Sequence, residues 1–265
     1  MQPSRFLKVL SSAVALWMLA APAHSAEWYW DRNDSTVGGG NTGGSWADAN
    51  WSMDPAGEIT TATWADGSDA VFSAGGDGTG TWVVDVGAAD RSVRNVLVEE
   101  GNVTLGTSGS FALSDAANWS AAAGSSLTVA RNIANGGHDL SFFSSTMNGG
   151  NVTVSGAISG TGSLGVTGPG TLTLSAENMY EGPTIVDGGT LKLGHKFGIG
   201  KVLYGGSYAQ ARGFTLRSGT FDINGQVTYT PTGGPGNWLL LTPLVLAGRA
   251  GEEISIIDSQ HGGGF

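Results

Sequence analysis

Apolar and polar residues alternate over short stretches of the chain, and glycine-rich turns separate these stretches. In TLTL (171–174) and TLKL (190–193), leucines occupy every second position. Successive side chains of a β-strand point to opposite faces, so this alternation predicts strands with one buried face. We expect the four leucines to face a core, and the threonines Thr171 and Thr173 and the lysine Lys192 to face solvent.

The short strands recur at a nearly constant interval. Taken as equivalent, the apolar positions lie 24, 25, 20, 19 and 23 residues apart; they are Val103, Leu127, Val152, Leu172, Leu191 and Phe214. An interval of this size is what one turn of a three-sided coil needs, and a fixed period is the signature of a repeat architecture. The pattern therefore predicts an all-β protein, a right-handed parallel β-helix (β-solenoid) in which each coil stacks on the next.

The clearest repeat covers residues 156–194, and its residue pattern resembles a known family. The segment is similar to the autotransporter-associated β-strand repeat of large exported bacterial surface proteins. The positions that carry the resemblance are Gly162, Leu164, Gly168, Gly170, Leu172, Leu174, Asn178, Tyr180, Gly182, Thr184, Val186, Gly189 and Leu191. The segment departs from the family at Met179 and Glu177, without disturbing its order of strands and turns. The resemblance implies a structural passenger β-solenoid that is exported to the cell surface.

The first 25 residues have the form of a secretion signal. Arg5 and Lys8 precede an apolar run at 9–21, and small residues at Ala23 and Ser25 suit a signal peptidase. Cleavage after Ser25 and cleavage after Ala23 are both compatible with this pattern. The apolar run is too short to cross a bilayer as a helix, so we expect export by the secretion machinery and a mature chain with no membrane span.

Composition changes after the signal and again near residue 93. Residues 26–92 contain six of the nine tryptophans and are rich in glycine, which predicts an N-terminal Trp/Gly-rich β cap. Residues 93–265 contain the recurring strands and are expected to form the solenoid. The sequence ends at HGGGF without the polar cap that terminal repeats carry, so we expect the repeats to continue in a longer protein.

The charge of the chain narrows its possible partners, and the absence of cysteine narrows the possible sources of its stability. The formal net charge is −10, which argues against nucleic acid as a partner because both would be negative. The chain has no cysteine, so disulfides cannot hold it together. Backbone hydrogen bonds between stacked coils are the alternative source of stability.

No short motif of the sequence has all the residues that a catalytic, cofactor or metal site needs. The G-x-G-x-x-G at 160–165 is followed by another predicted strand instead of the helix that a dinucleotide site needs. The oxygen-rich segments 31–35 and 75–78 lack the remaining ligands of calcium loops and are interpreted as solvated. Glu177 and Glu181 flank a turn without a cation or base to tune them. We therefore predict no catalytic, cofactor-binding or metal-binding residues and no cofactor.

Tryptophan rings offer one route to ligand binding. Trp28, Trp46 and Trp51 lie among Gly, Asn and Asp, and an exposed ring can stack on a sugar. These three are possible glycan contacts, and the alternative is that they pack in the cap and core. The two interpretations differ in whether the rings are exposed.

These observations favour an exported, surface-displayed or secreted structural stalk, with a possible adhesion role toward extracellular glycans or toward host or neighbouring surfaces. Two alternatives are a carbohydrate-binding adhesin that uses the N-terminal tryptophans and a polysaccharide lyase or hydrolase on a β-helix. An enzyme would need ionisable side chains that converge on one face, which the scattered charges do not suggest. We therefore expect no enzymatic activity.

Overall fold

The computed structural model describes residues 26–40, 43–106, 108–143, 149–199, 202–204, 207–209, 213–226, 244–248, 253–260 and 263–264. The predicted signal at 1–25 lies outside this part of the chain. Within it the secondary structure is β, and no helix is present, as the sequence predicted. The strands are β1 (Glu27–Trp30), β2 (Gly44–Ser45), β3 (Trp51–Ser52), β4 (Ser68–Phe72), β5 (Thr81–Asp85), β6 (Arg91–Val98), β7 (Asn102–Leu105), β8 (Ser110–Leu113), β9 (Ala117–Ala121), β10 (Ser126–Val129), β11 (Asn132–Ala134), β12 (Leu140–Phe142), β13 (Asn151–Val154), β14 (Ile158–Gly160), β15 (Leu164–Val166), β16 (Thr171–Leu174), β17 (Met179–Tyr180), β18 (Thr184–Leu193), β19 (Val202–Tyr204), β20 (Ser207–Ala209), β21 (Phe214–Asp222), β22 (Leu244–Leu246), β23 (Ile254–Asp258) and β24 (Gly263–Gly264).

The strands stack in three parallel ladders, so that the chain forms a β-solenoid. Ladder A contains β5, β7, β10, β13, β16, the second halves of β18 and β21, and β23. Ladder B contains the first half of β6 with β8, β11, β14 and β17. Ladder C contains β1, β4, the second half of β6, β9, β12, β15, the first halves of β18 and β21, and β22. The prediction of an all-β solenoid with stacked parallel strands is confirmed.

The register in ladder A follows the apolar repeat of the sequence. Val103, Leu127, Val152, Leu172 and Leu191 are successive partners, and all of them are buried. The sixth predicted position is wrong. Phe214 pairs with Thr184 in ladder C, and Phe221 is the partner of Leu191. The antiparallel pair β19 and β20 lies in the connection between β18 and β21, which lengthens this coil and shifts the equivalence.

The alternation within these strands is confirmed, but the outward side chains are less exposed than the sequence predicted. Leu172, Leu174, Leu191 and Leu193 are all fully buried. Thr171, Thr173 and Lys192 are half-buried, not fully exposed. Stacked strands lie about 4.8 Å apart, so each outward side chain is flanked by its neighbours in the adjacent coils. Lys192 Nζ, for example, lies 3.5 Å from the Asp222 carboxylate of the next coil.

Parallel stacking already begins in the tryptophan-rich region. Strand β1 pairs in parallel with β4, and β5 pairs in parallel with β7. On its other edge β1 pairs with β3 in the antiparallel direction, through Trp30 and Trp51. The boundary between residues 92 and 93, the cap role of this region and the right hand of the coil stay predictions.

A single apolar core runs through the stack. It extends from Trp28 and Trp30 in β1 to Phe221 in β21 and Ile223 just after it, and is lined by the inward side chains of the three ladders. Because each coil covers the apolar face of its neighbour, the core is continuous without disulfides. In the part of the chain that the structure describes, no helix is long and apolar enough to cross a membrane.

Candidate functional surfaces

The corner that leads into ladder B carries the most distinctive side chains of the repeat. Asn178 is buried, its Oδ1 accepts a hydrogen bond from Ile158 N at 2.7 Å, and its Nδ2 donates to Gly198 O at 2.6 Å. Both partners lie 20 residues away, one coil before and one coil after. Asn178 therefore fastens three successive coils to one another.

Tyr180 stabilises the same corner, with its side chain inside the core. Its side chain is fully buried, and its hydroxyl lies 2.6 Å from Thr184 Oγ1 at the start of β18. Burial raises the pKa of the Tyr180 hydroxyl. A neutral, hydrogen-bonded tyrosine at this position fixes the turn between β17 and β18, which is a structural role.

Two glycines of the repeat permit close stacking of the backbone. A Cβ on Gly162 would lie 1.9 Å from His138 O, and a Cβ on Gly182 would lie 2.4 Å from Gly162 O. These contacts are much shorter than real Cβ contacts, so any larger residue would push the coils apart. The glycine spacing of the repeat thus follows from the approach of consecutive turns.

Asn135 makes contacts that the sequence interpretation missed. It is fully buried, its Nδ2 donates to Gly162 O at 3.1 Å, and its Oδ1 accepts from Gly162 N at 3.1 Å and Gly137 N at 3.1 Å. The segment around it, RNIANGGHD, lacks the repeat motif, so nothing in it distinguished Asn135 from a turn asparagine. Its partner is 27 residues away and is defined only by the stacking.

The tryptophans considered as glycan contacts lie in the core. Trp46 and Trp51 are fully buried, and Trp28 is 8% exposed. The rings of Trp46 and Trp51 meet edge to face with centroids 4.7 Å apart, and Trp51 Nε1 donates to Trp46 O at 3.1 Å. They form no coplanar exposed row, so their faces are not available to stack on a sugar. The geometry corresponds to the alternative in which these rings pack in the core.

A groove of about 710 Å³ lies on the outer face of ladder C. Several of its polar side chains already form hydrogen bonds to neighbouring coils along the stack. Asn118 Nδ2 donates to Phe143 O at 2.8 Å, and Asn118 N donates to Asn95 Oδ1 at 2.8 Å. At one end of the groove, Asp69 Oδ1 accepts from Arg94 Nε at 2.8 Å, and this ion pair raises the pKa of Arg94.

Asp139 also lines this groove. Its Oδ1 accepts hydrogen bonds from the hydroxyl and the backbone N–H of Ser163, which lower the pKa of the carboxyl. Asp139 is therefore held ionised as a link between coils. A general acid would require the opposite shift, so Asp139 is unsuited to that role.

The structure also places the other segments that the sequence analysis considered as sites for chemistry. Gly160 ends β14, and residues 164–166 form β15, so the G-x-G-x-x-G segment joins two strands and leads into no helix. Glu177 and Glu181 are both exposed, as solvated turn charges would be. Asp31 differs from its solvated interpretation, because its side chain is fully buried.

Comparison with known proteins identifies the repeat type. A family model described as passenger-associated-transport-repeat matches residues 165–193. No curated protein and no solved structure matches the chain significantly. The matched segment includes the buried leucines, Asn178 and Tyr180 analysed above, so the resemblance seen in the sequence is confirmed. Residues 165–193 match the passenger-associated transport repeat, and the structure places them on a β-solenoid.

Proposed function

We propose that this protein is an exported structural passenger, a stalk displayed on the cell surface or secreted. The observation that carries the proposal is that the residues distinguishing 165–193 stack the coils or fix the turns between strands. Asn178, Tyr180 and Gly182 all serve to stack or turn the backbone. A repeat whose most specific residues build the rod is suited to hold other parts of a protein away from the membrane.

Export is tested in a bacterial host that carries the full chain with a C-terminal tag. Removal of residues 1–25 should retain the tagged protein in the cytoplasm, whereas the full chain should be processed and exported. Sequencing of the exported N-terminus distinguishes cleavage after Ser25 from cleavage after Ala23. An exported protein that still begins at Met1 would contradict the cleaved signal.

The proposal includes no catalysis by the stalk itself. The passenger-associated repeat is structural and is not a known enzyme family. In the ladder C groove, Asp69 pairs with Arg94, Asp139 accepts from Ser163, and Glu27 accepts from the Tyr29 hydroxyl. A screen for cleavage of neutral and acidic polysaccharides by the purified chain should find no turnover, and turnover that is lost in Glu181→Gln would overturn this part of the proposal.

Adhesion to a neutral glycan is a second candidate function, and the groove on ladder C is its best support. The groove spans several coils, and Asp69 and Asp139 would repel an acidic polymer. A glycan array tests it with Ser141→Tyr, which would fill the groove, against Thr153→Tyr on the outer face of ladder A. If the Ser141→Tyr variant still binds glycans, the glycan site does not lie in this groove.

A further inference from the structure

Two oxygen-rich segments that are distant in sequence lie against each other in the N-terminal region. They are residues 31–40, which follow β1, and residues 73–78, which follow β4. Asp77 joins them: its Oδ1 accepts from Gly39 N at 2.8 Å and its Oδ2 accepts from Gly40 N at 3.4 Å. Each segment alone has too few ligands for a calcium loop, but the fold combines their oxygens.

Asp31 is the unusual residue of this pair of loops. Its side chain is fully buried, and its Oδ1 accepts from Asn33 N at 3.0 Å. Its Oδ2 is buried without a hydrogen-bond partner. The pKa of Asp31 is raised to about 6; burial is the largest cause, and the charges of Asp34 and Asp77 contribute to the same rise. A buried carboxylate oxygen without a donor or cation is strongly destabilising.

A carbonyl oxygen lies beside Asp31 Oδ2, and the two loops hold further oxygens nearby. A Cβ on Gly57 would lie 2.6 Å from Gly38 O and 3.1 Å from Asp31 Oδ2, so both oxygens border one point. A Cβ on Gly38 would lie 2.6 Å from Asp77 Oδ2. Asn33 Oδ1 is also buried without a partner. The buried side-chain atoms of these two loops without a hydrogen-bond partner are Asp31 Oδ2, Asn33 Oδ1 and the hydroxyl oxygen of Ser73, and a cation can satisfy oxygens of all three kinds.

We propose that residues 31–40 and 73–78 form a Ca²⁺ site, in which the Asp31 and Asp77 carboxylates, the Gly38 carbonyl and the Asn33 amide oxygen are ligands. Ca²⁺ tolerates irregular shells of carboxylate, carbonyl and water oxygens. Among the described residues, no three His, Asp or Glu side chains could jointly hold a metal ion, so the site would depend on its carbonyl and amide oxygens. Two carboxylates predict a dissociation constant on the order of 0.1–1 mM, as in extracellular modules.

Thermal unfolding of the purified full chain in EDTA and in CaCl₂ tests the site. With about 10 mM Ca²⁺ and a dissociation constant near 1 mM, the Tm of the wild type should rise by about 3–6 °C. Asp31→Asn should abolish this rise. In EDTA the same variant should be at least as stable as the wild type, because it removes a buried charge that lacks a cation.

Asp48→Asn is the matched control, since Asp48 is an exposed acid of the same region, and its Ca²⁺ response should equal that of the wild type. Asp77→Asn removes the second carboxylate ligand and should weaken the response. A wild-type Tm that is the same in EDTA and Ca²⁺ overturns the proposal, and so does a full Ca²⁺ response in Asp31→Asn. Stabilisation by acid without any Ca²⁺ response would instead identify Asp31 as a buried neutral acid.

Discussion

At the scale of single residues, Asn178 shows how one side chain can specify stacking. It satisfies Ile158 N in the preceding coil and Gly198 O in the following coil. Asn178→Ala leaves both backbone groups buried without a partner, which should reduce the free energy of unfolding by about 2–4 kcal/mol. Asn151→Ala, at an exposed outward position of β13, should change it by less than about 0.5 kcal/mol. Equal urea midpoints for the two variants would contradict the role assigned to Asn178.

Asp31 gives a residue-scale prediction for pH. Its pKa in the folded, metal-free protein is about 6, above the value of an unfolded aspartate near 4. The folded state therefore binds the proton more tightly, and its stability falls as pH rises from about 4 through about 6. In EDTA, the Tm advantage of Asp31→Asn over the wild type should be large at pH 7 and should shrink toward pH 4. An advantage that grows on acidification would mean that Asp31 is stabilised as the anion.

At the scale of the strand, register decides the effect of a substitution. Leu172 is fully buried in ladder A, and the adjacent Thr173 lies half-buried on the outer face. Leu172→Asp places an unpaired charge in a narrow core and should cost several kcal/mol of unfolding free energy. Thr173→Asp should cost little, because Lys192 is its register partner in the next coil. Similar melting temperatures would indicate that the alternation is shifted by one residue.

Turns between strands are limited by the approach of neighbouring backbones. Gly182→Ala would place a methyl group 2.4 Å from Gly162 O, so it should lower the Tm by several degrees. Gly76→Ala meets nothing within 4 Å and is the control, with a Tm close to that of the wild type. A Tm for Gly182→Ala equal to that of Gly76→Ala would mean that the coils can separate locally at no cost.

The extent to which sequence predicts these elements follows from the range of the interactions. Alternation is local, so TLTL and TLKL were sufficient to predict which leucines are buried. The equivalence of Phe214 failed because the β19–β20 insertion changes the coil length, and alternation carries no information on coil length. The contact of Asp77 with Gly39 spans 38 residues and depends on how the first coils stack, so neither segment revealed it alone.

At the scale of the whole molecule, the tryptophan-rich region and the repeats form one core. Trp46 contacts Trp51 and Phe72 within residues 26–92, and it also contacts Phe111 in β8. The aromatic cluster is therefore continuous with the coils that follow it. A nearly one-dimensional stack of this kind should tolerate the removal of whole coils and should not tolerate the removal of parts of a coil.

Deletion of residues 151–170 tests this property, because it removes one coil, β13 to β15. Thr171 occupies the register of Asn151, and Thr184 that of Leu164, so β10 would meet β16 and β12 would meet β18. Asn178 would then face the backbone of Ile133, which is the register partner of Ile158. The shortened protein should keep a β-type circular dichroism spectrum and a cooperative transition, with a rod shorter by about 4.8 Å.

Deletion of residues 151–160 alone removes β13 and β14 but leaves β15, so ladders A and B lose register while ladder C keeps it. This second protein should lose the cooperative transition, and comparable folding of the two deletions would show that the coils are not the units of stability.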